Sequence, residues 1–190
     1  MASDRKVARR MSRYRSADAQ RAYLAVYDAA LGSYWPSTRS LVDAPTEFGP
    51  TRIIKTGATH GTPIVLLHGI AVSAVSWSAN VVPLGESHPV IAIDTVSDAG
   101  RSNLTQPVRD GAAMARWLDE VLAALDIADA HLVGLSYGAW LVLNQAVRSP
   151  HRIRSITAID PPGAIVRMKL NPKMLPDIVK ATVVRARRRC

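Results

Sequence analysis

The sequence predicts an α/β fold: a mainly parallel sheet flanked by helices on both faces. Three observations carry that expectation. Four short, solidly apolar runs, at 63–67, 88–93, 130–135 and 153–159, have the composition of strands buried on both sides. Helically patterned stretches lie between or beside them, at 74–85, 108–125 and 136–148. Strand, helix and strand in repeated alternation implies right-handed crossovers, because a right-twisted strand leading into a helix packs back onto its own sheet in that hand.

The chain opens with a basic segment. Six basic residues between Arg5 and Arg15 against Asp4 give that end +5, and Arg185, Arg187, Arg188 and Arg189 give the other end +4. Together they account for the whole formal charge of +9, so residues 16–184 are neutral. A neutral body with basic ends is the pattern of a globular domain with solvated termini, and no nucleic-acid partner is expected from it. At 190 residues and 48% hydrophobic content the chain is long enough to bury one substantial core. It contains no apolar run of about 18 residues that would cross a membrane as a helix. Cys190 is the only cysteine, so no disulfide can form within the chain. With no apolar leader at the N-terminus, a cytoplasmic location is the default expectation.

From 17 to 31 apolar residues recur at helical spacing, and the pattern is expected to end at Gly32. Segments 38–42 and 51–56 alternate and are separated by Asp43, Pro45, Gly49 and Pro50, which reads as an antiparallel pair covering one edge of the sheet. The parallel runs then follow. Chemistry in such sheets gathers at the carboxyl ends of the strands, which directs attention to the residues after 67, 93, 135 and 159.

Two of those ends carry motifs. Gly134-Leu135-Ser136-Tyr137-Gly138 spells G-x-S-x-G between an apolar run and a helix. A serine must stand clear of its own backbone to attack a carbonyl, and a tight strand-to-helix turn does this while leaving room only for small residues two before and two after it. Gly134 and Gly138 meet that need. At the end of the 63–67 run stands His68-Gly69-Ile70, the second motif. Trp77 follows it, Asp94 closes the next run, and 94–102 forms a loop.

These residues, in this order, resemble the α/β-hydrolase superfamily, and within it bacterial carboxylesterases, over about residues 51–162. The resemblance implies that Ser136 is the nucleophile and that the backbone N–H groups of Ile70 and Tyr137 form the oxyanion hole. His68 and Gly69 then support the turn, His68 as a structural residue and not as the base. Neither a cofactor nor a metal is implied. The expected substrate is a small-molecule carboxylic ester, cleaved through an acyl-enzyme.

A serine nucleophile of this fold is followed along the chain by an acid and then a histidine. Here the sequence departs from the pattern. His60, His88 and His131 fall at or near the amino ends of strands, and His151 follows the helix after Ser136, which also returns the chain to that end. Asp160 is the candidate acid, with a turn-capping role as its alternative; in the esterases that the chain resembles, the acid comes one strand later. Asp94 is expected to order its own loop, and Asp98 to be solvated. The organisation expected is therefore a basic tail at 1–15, the N-terminal portion of an α/β-hydrolase core at 16–163, and at 164–190 the start of a helical cap with a basic end. The last two strands, with their acid and histidine, are expected to be missing through truncation. Two functions stay open: a serine ester hydrolase of little activity, or a non-catalytic remnant that associates with protein through an exposed sheet edge, including self-association.

Overall fold

The computed structural model of the protein describes residues 14–36 and 38–163. The segment expected to begin a cap, 164–190, and the basic tail up to residue 13 lie outside the described residues. Within them stands a six-stranded sheet in the order β1-β2-β4-β3-β5-β6. Its strands are β1 (Ser40–Ala44), β2 (Thr51–Gly57), β3 (Ile64–Leu67), β4 (Pro89–Ile93), β5 (Ala130–Leu135) and β6 (Ile153–Ile159). β1 and β2 run antiparallel to each other, as does β2 to β4. β4, β3, β5 and β6 are mutually parallel. The expected mainly parallel sheet with an antiparallel pair at one edge is what forms.

The apolar runs earn their burial by alternation between two cores. Along a strand successive side chains point to opposite faces. Val65 and Leu67 of β3, with Ile91 and Ile93 of β4, face a core built with Trp117, Leu118 and Leu141. Ile64 and Leu66, with Val90 and Ala92, face a second core built with Tyr27, Leu31 and Trp77. A polar residue at any of these positions would enter one core or the other, which is why the runs are apolar throughout.

Among the described residues four helices cover the two faces: α1 (Ala17–Tyr34), α2 (Val81–Gly85), α3 (Gly111–Ala124) and α4 (Tyr137–Arg148). In α3, Met114, Trp117, Leu118, Val121 and Leu122 repeat at three- and four-residue spacing and are all buried. Asp110 starts this helix by accepting the Ala113 N–H at 2.8 Å. The backbone at Asp110 is extended, so α3 begins three residues later than the expected 108. Ser16 caps α1 in the same way through the Ala19 N–H at 3.1 Å.

Two expectations are corrected. Gly32 does not end α1, which runs on to Tyr34. Nothing lies within 4 Å of the place where a Cβ on Gly32 would stand, so the glycine weakens the helix without breaking it, and the turn comes where Trp35 enters the core. The stretch 74–85 is not one helix but a 3₁₀ turn at Ala74–Trp77 followed by α2. Pro83 has no N–H to give to residue 79, so one unbroken helix from 74 would lose that bond, and proline is accommodated instead in the first turn of α2. Among the described residues no helix is long and apolar enough to cross a membrane.

Candidate active site

Three non-glycine residues with positive φ stand just beyond the carboxyl ends of the strands: Ala71 at 61°, Ser136 at 53° and Asp160 at 51°. Each costs about 1–3 kcal/mol and persists only where its surroundings fix it. At Ser136 the fixing is visible. Its N–H donates to the Ile159 carbonyl at 2.8 Å, its carbonyl accepts the Trp140 N–H at 3.0 Å, and ψ is −113°. The chain therefore turns from β5 into α4 in a single residue.

The flanking glycines are required by contact with backbone. A Cβ on Gly134 would lie 2.1 Å from the Gly138 carbonyl oxygen, and one on Gly138 would lie 2.0 Å from the Leu67 carbonyl oxygen. The elbow is thus wedged between its own strand and the end of β3. Gly69 completes the junction: its Cβ position lies 3.6 Å from the Ser136 Cβ, so the His68-Gly69 turn and the elbow abut.

His68 is fully buried and its tautomer follows from its partners. The Thr95 N–H donates to Nε2 at 3.0 Å, so Nε2 holds the lone pair. Nδ1 therefore carries the proton and donates to the Gly69 carbonyl at 2.8 Å. That carbonyl shares a peptide plane with the Ile70 N–H. Both ring nitrogens are engaged in holding the turn.

Two backbone donors are left over. Among the described residues neither the Ile70 N–H nor the Tyr137 N–H has a hydrogen-bond partner. Tyr137 is the first residue of the 12-residue α4, where amides lack an intrahelical acceptor and the helix dipole favours negative charge. Its ring stacks on Trp140 with centroids 5.7 Å apart, and burial pushes the phenol pKa up, against the opposing pull of the Ser97 side chain. Ser97, Val108, Arg109, Met114, Tyr137 and Trp140 help line a cleft of about 450 Å³ beside the elbow. A larger groove of about 660 Å³, lined by Lys55, Pro63 and Asp126 among others, lies at the amino end of the sheet, away from these groups.

Asp94 orders its loop as expected. Its Oδ1 accepts the Ala74 N–H at 2.8 Å and its Oδ2 the Arg101 N–H at 2.7 Å. Burial raises its pKa, against the opposing pull of those two amides. Asp98 contradicts its expectation. It is half-buried, not freely solvated, and both its carboxylate oxygens face the Ala71 N–H, at 3.1 and 2.9 Å. Together with Ser97 it was illegible in the sequence, since loop residues carry no periodicity to read.

The remaining candidates stay apart from Ser136. His88 pairs with the Thr62 carbonyl at 2.8 Å, His131 with the Ser155 hydroxyl at 2.7 Å and His151 with the Ser149 hydroxyl at 3.0 Å, all toward the amino end of the sheet. His60 lies exposed in the loop before β3. Asp160 is exposed beyond β6, and among the described residues nothing engages its carboxylate. No cluster of three or more potential metal ligands occurs among the described residues.

Known proteins share this fold. Residues 62–183 match the family described as alpha/beta hydrolase fold. Carboxylesterase YbfK of Bacillus subtilis is 30% identical over 154 residues, which cover 81% of this chain and 50% of that protein. A second B. subtilis protein, the uncharacterized carboxylesterase nap, is 30% identical over 73% of this chain and 46% of its own length. The crystal structure of naproxen esterase from B. subtilis superposes with a TM-score of 0.78 at 27% identity, covering 88% of this chain and 56% of that one. The chain spans about half the length of the curated relatives it matches.

Proposed function

The chain belongs to the α/β-hydrolase fold family, and on that premise we propose that it is a serine hydrolase of carboxylic esters. Ser136 is the nucleophile in this reading, and the Ile70 and Tyr137 amides are the oxyanion donors. The observation that carries it is the junction of the strained Ser136 with two backbone amides that have no other partner among the described residues. Amides held by a fold are already oriented when negative charge appears on the substrate oxygen, and one such donor contributes roughly 3 kcal/mol to the transition state.

The Ser136 hydroxyl attacks the ester carbonyl carbon, the carbonyl oxygen takes the negative charge, and collapse expels the alcohol to leave an acyl-serine. Water then attacks that acyl group and releases the acid. The serine proton needs an acceptor. All five histidines of the sequence are placed in the structure, and none is hydrogen-bonded to Ser136. We therefore assign low activity to these 190 residues alone, of the order that an oxyanion hole and binding sustain without a base, roughly 10³–10⁴-fold over water. Asp160 is the acid to test within the chain.

A fluorophosphonate probe is expected to label Ser136, with slow release of p-nitrophenol from short-chain p-nitrophenyl esters. Both signals should vanish in Ser136→Ala. Labelling that survives the substitution refutes the assignment.

A second reading has its own observation. Among the described residues β6 is an edge strand; Ile159 at its carboxyl end is 42% exposed, and Leu135, beside it at the end of β5, is 37% exposed. An unpaired apolar edge is a template for association. A chain that elutes as a complex and turns over no ester would favour that reading.

A further inference from the structure

The loop after β4 reaches both sides of the candidate oxyanion hole with adjacent residues. Ser97 lines the cleft with Tyr137, and Asp98 takes the Ala71 N–H between its two carboxylate oxygens. Asp98 is itself held in place: its N–H donates to the Thr95 carbonyl at 3.0 Å, and its Oδ1 also accepts the Ala99 N–H at 2.7 Å.

Ala71 is where a clamp is needed. Its φ of 61° lies in the left-handed region, which an alanine adopts only under constraint. The residue is exposed, so burial does not impose that conformation. Were Ala71 to relax to negative φ, the Ile70–Ala71 peptide would swing. The next peptide back is Gly69–Ile70, whose carbonyl His68 holds and whose N–H is the oxyanion donor. The donor peptide is thus tied down on one side by His68 and steadied on the other through Ala71.

We propose that Asp98 is a positioning residue of the oxyanion hole, acting through the Ala71 amide to hold the Ile70 N–H in its donating direction. The proposal rests on the reading of Ile70 as an oxyanion donor. It assigns Asp98 no contact with substrate. Nor is Asp98 a support of the fold: the Ala71 amide is exposed and the Ala99 amide is only half-buried, so water can replace the carboxylate at little cost to folding.

The test compares Asp98→Ala with Asp98→Asn, since the asparagine oxygen keeps one acceptor for the Ala71 N–H. Two quantities are read on the full chain. Amide hydrogen exchange of Ala71, followed by NMR, should speed up in Asp98→Ala and return toward wild type in Asp98→Asn. Fluorophosphonate labelling of Ser136 should slow about tenfold in Asp98→Ala, less than the loss of a whole oxyanion donor, with recovery in Asp98→Asn. The urea midpoint should be the same in all three proteins. Unchanged Ala71 exchange in Asp98→Ala overturns the clamp whatever the labelling shows, and labelling of Asp98→Ala at the wild-type rate overturns its positioning role. A wild-type chain that labels nowhere, or a Ser136→Ala chain that labels as well as wild type, refutes the serine-hydrolase reading instead.

Discussion

Substituting alanine at two glycines, Gly138 and Gly32, should shift stability in opposite directions. At Gly138 the added Cβ would stand 2.0 Å from the Leu67 carbonyl oxygen, 2.6 Å from its carbonyl carbon and 2.8 Å from the His68 carbonyl oxygen. All three are backbone atoms of the central strand and its exit, so no flexible side chain can yield. Relief requires α4 to move off β3 by about 1 Å, which forfeits close-packed contact along Leu141 and Val142. Overpacking against movable neighbours costs about 1–3 kcal/mol, and backbone neighbours place Gly138→Ala at about 3 kcal/mol or more. With a urea m-value of about 2 kcal/mol per M, the unfolding midpoint should fall by about 1.5 M. At Gly32, in the helix and with open space around it, alanine should stabilise by about 0.5–1 kcal/mol and raise the midpoint by about 0.3–0.5 M. Urea titrations by far-UV circular dichroism read both. If Gly138→Ala lies within 0.3 M of wild type, roughly the noise of such an extrapolation, the wedge between elbow and β3 is not as described.

Other outcomes follow from the same packing. Asp94→Ala leaves the Ala74 and Arg101 amides without their acceptors and should destabilise by about 3 kcal/mol, with Asp94→Asn restoring roughly half; equal stability of the two variants in urea would contradict the two-amide role. Trp117 is fully buried and donates to the Thr51 hydroxyl at 2.8 Å, so a double-mutant cycle of Trp117→Phe with Thr51→Val should show a coupling of about 1 kcal/mol, and a coupling near zero would remove that bond from the account. Burial raises the Tyr23 pKa from 10.0 to about 12. The folded chain then holds a proton that the unfolded chain has lost, so the stability from Tyr23 is complete below pH 10 and declines between about pH 10 and 12. Ultraviolet titration of tyrosinate in wild type against Tyr23→Phe should show the Tyr23 component near pH 12, and its appearance at pH 10 would refute the burial argument.

The sequence carried the strands well because β3 and β4 must be apolar on both faces, and that requirement leaves a continuous run that can be read without a structure. It carried the elbow for a similar reason: Gly134 and Gly138 answer a steric demand that no other residue satisfies, so the residue types themselves record the geometry. It failed at 74–85, where apolar spacing resembles a helix while Pro83 withholds the N–H that one would need. It failed again at Asp98, a charged loop residue whose local pattern is that of a solvated turn.

Read alone, the chain determined that there is a mainly parallel sheet, that its strands are buried on both faces, and that Ser136 and His68-Gly69 stand at strand ends, because burial and close approach restrict residue type one position at a time. Only the tertiary structure decided what meets across those ends. β4 lies between β2 and β3, and that order brings Thr95 onto His68 and Asp98 onto Ala71. β6 lies beside β5, and its Ile159 carbonyl holds the Ser136 amide. Such contacts depend on the order of strands in the sheet. Strand order arises from packing between distant segments, and no local periodicity encodes it.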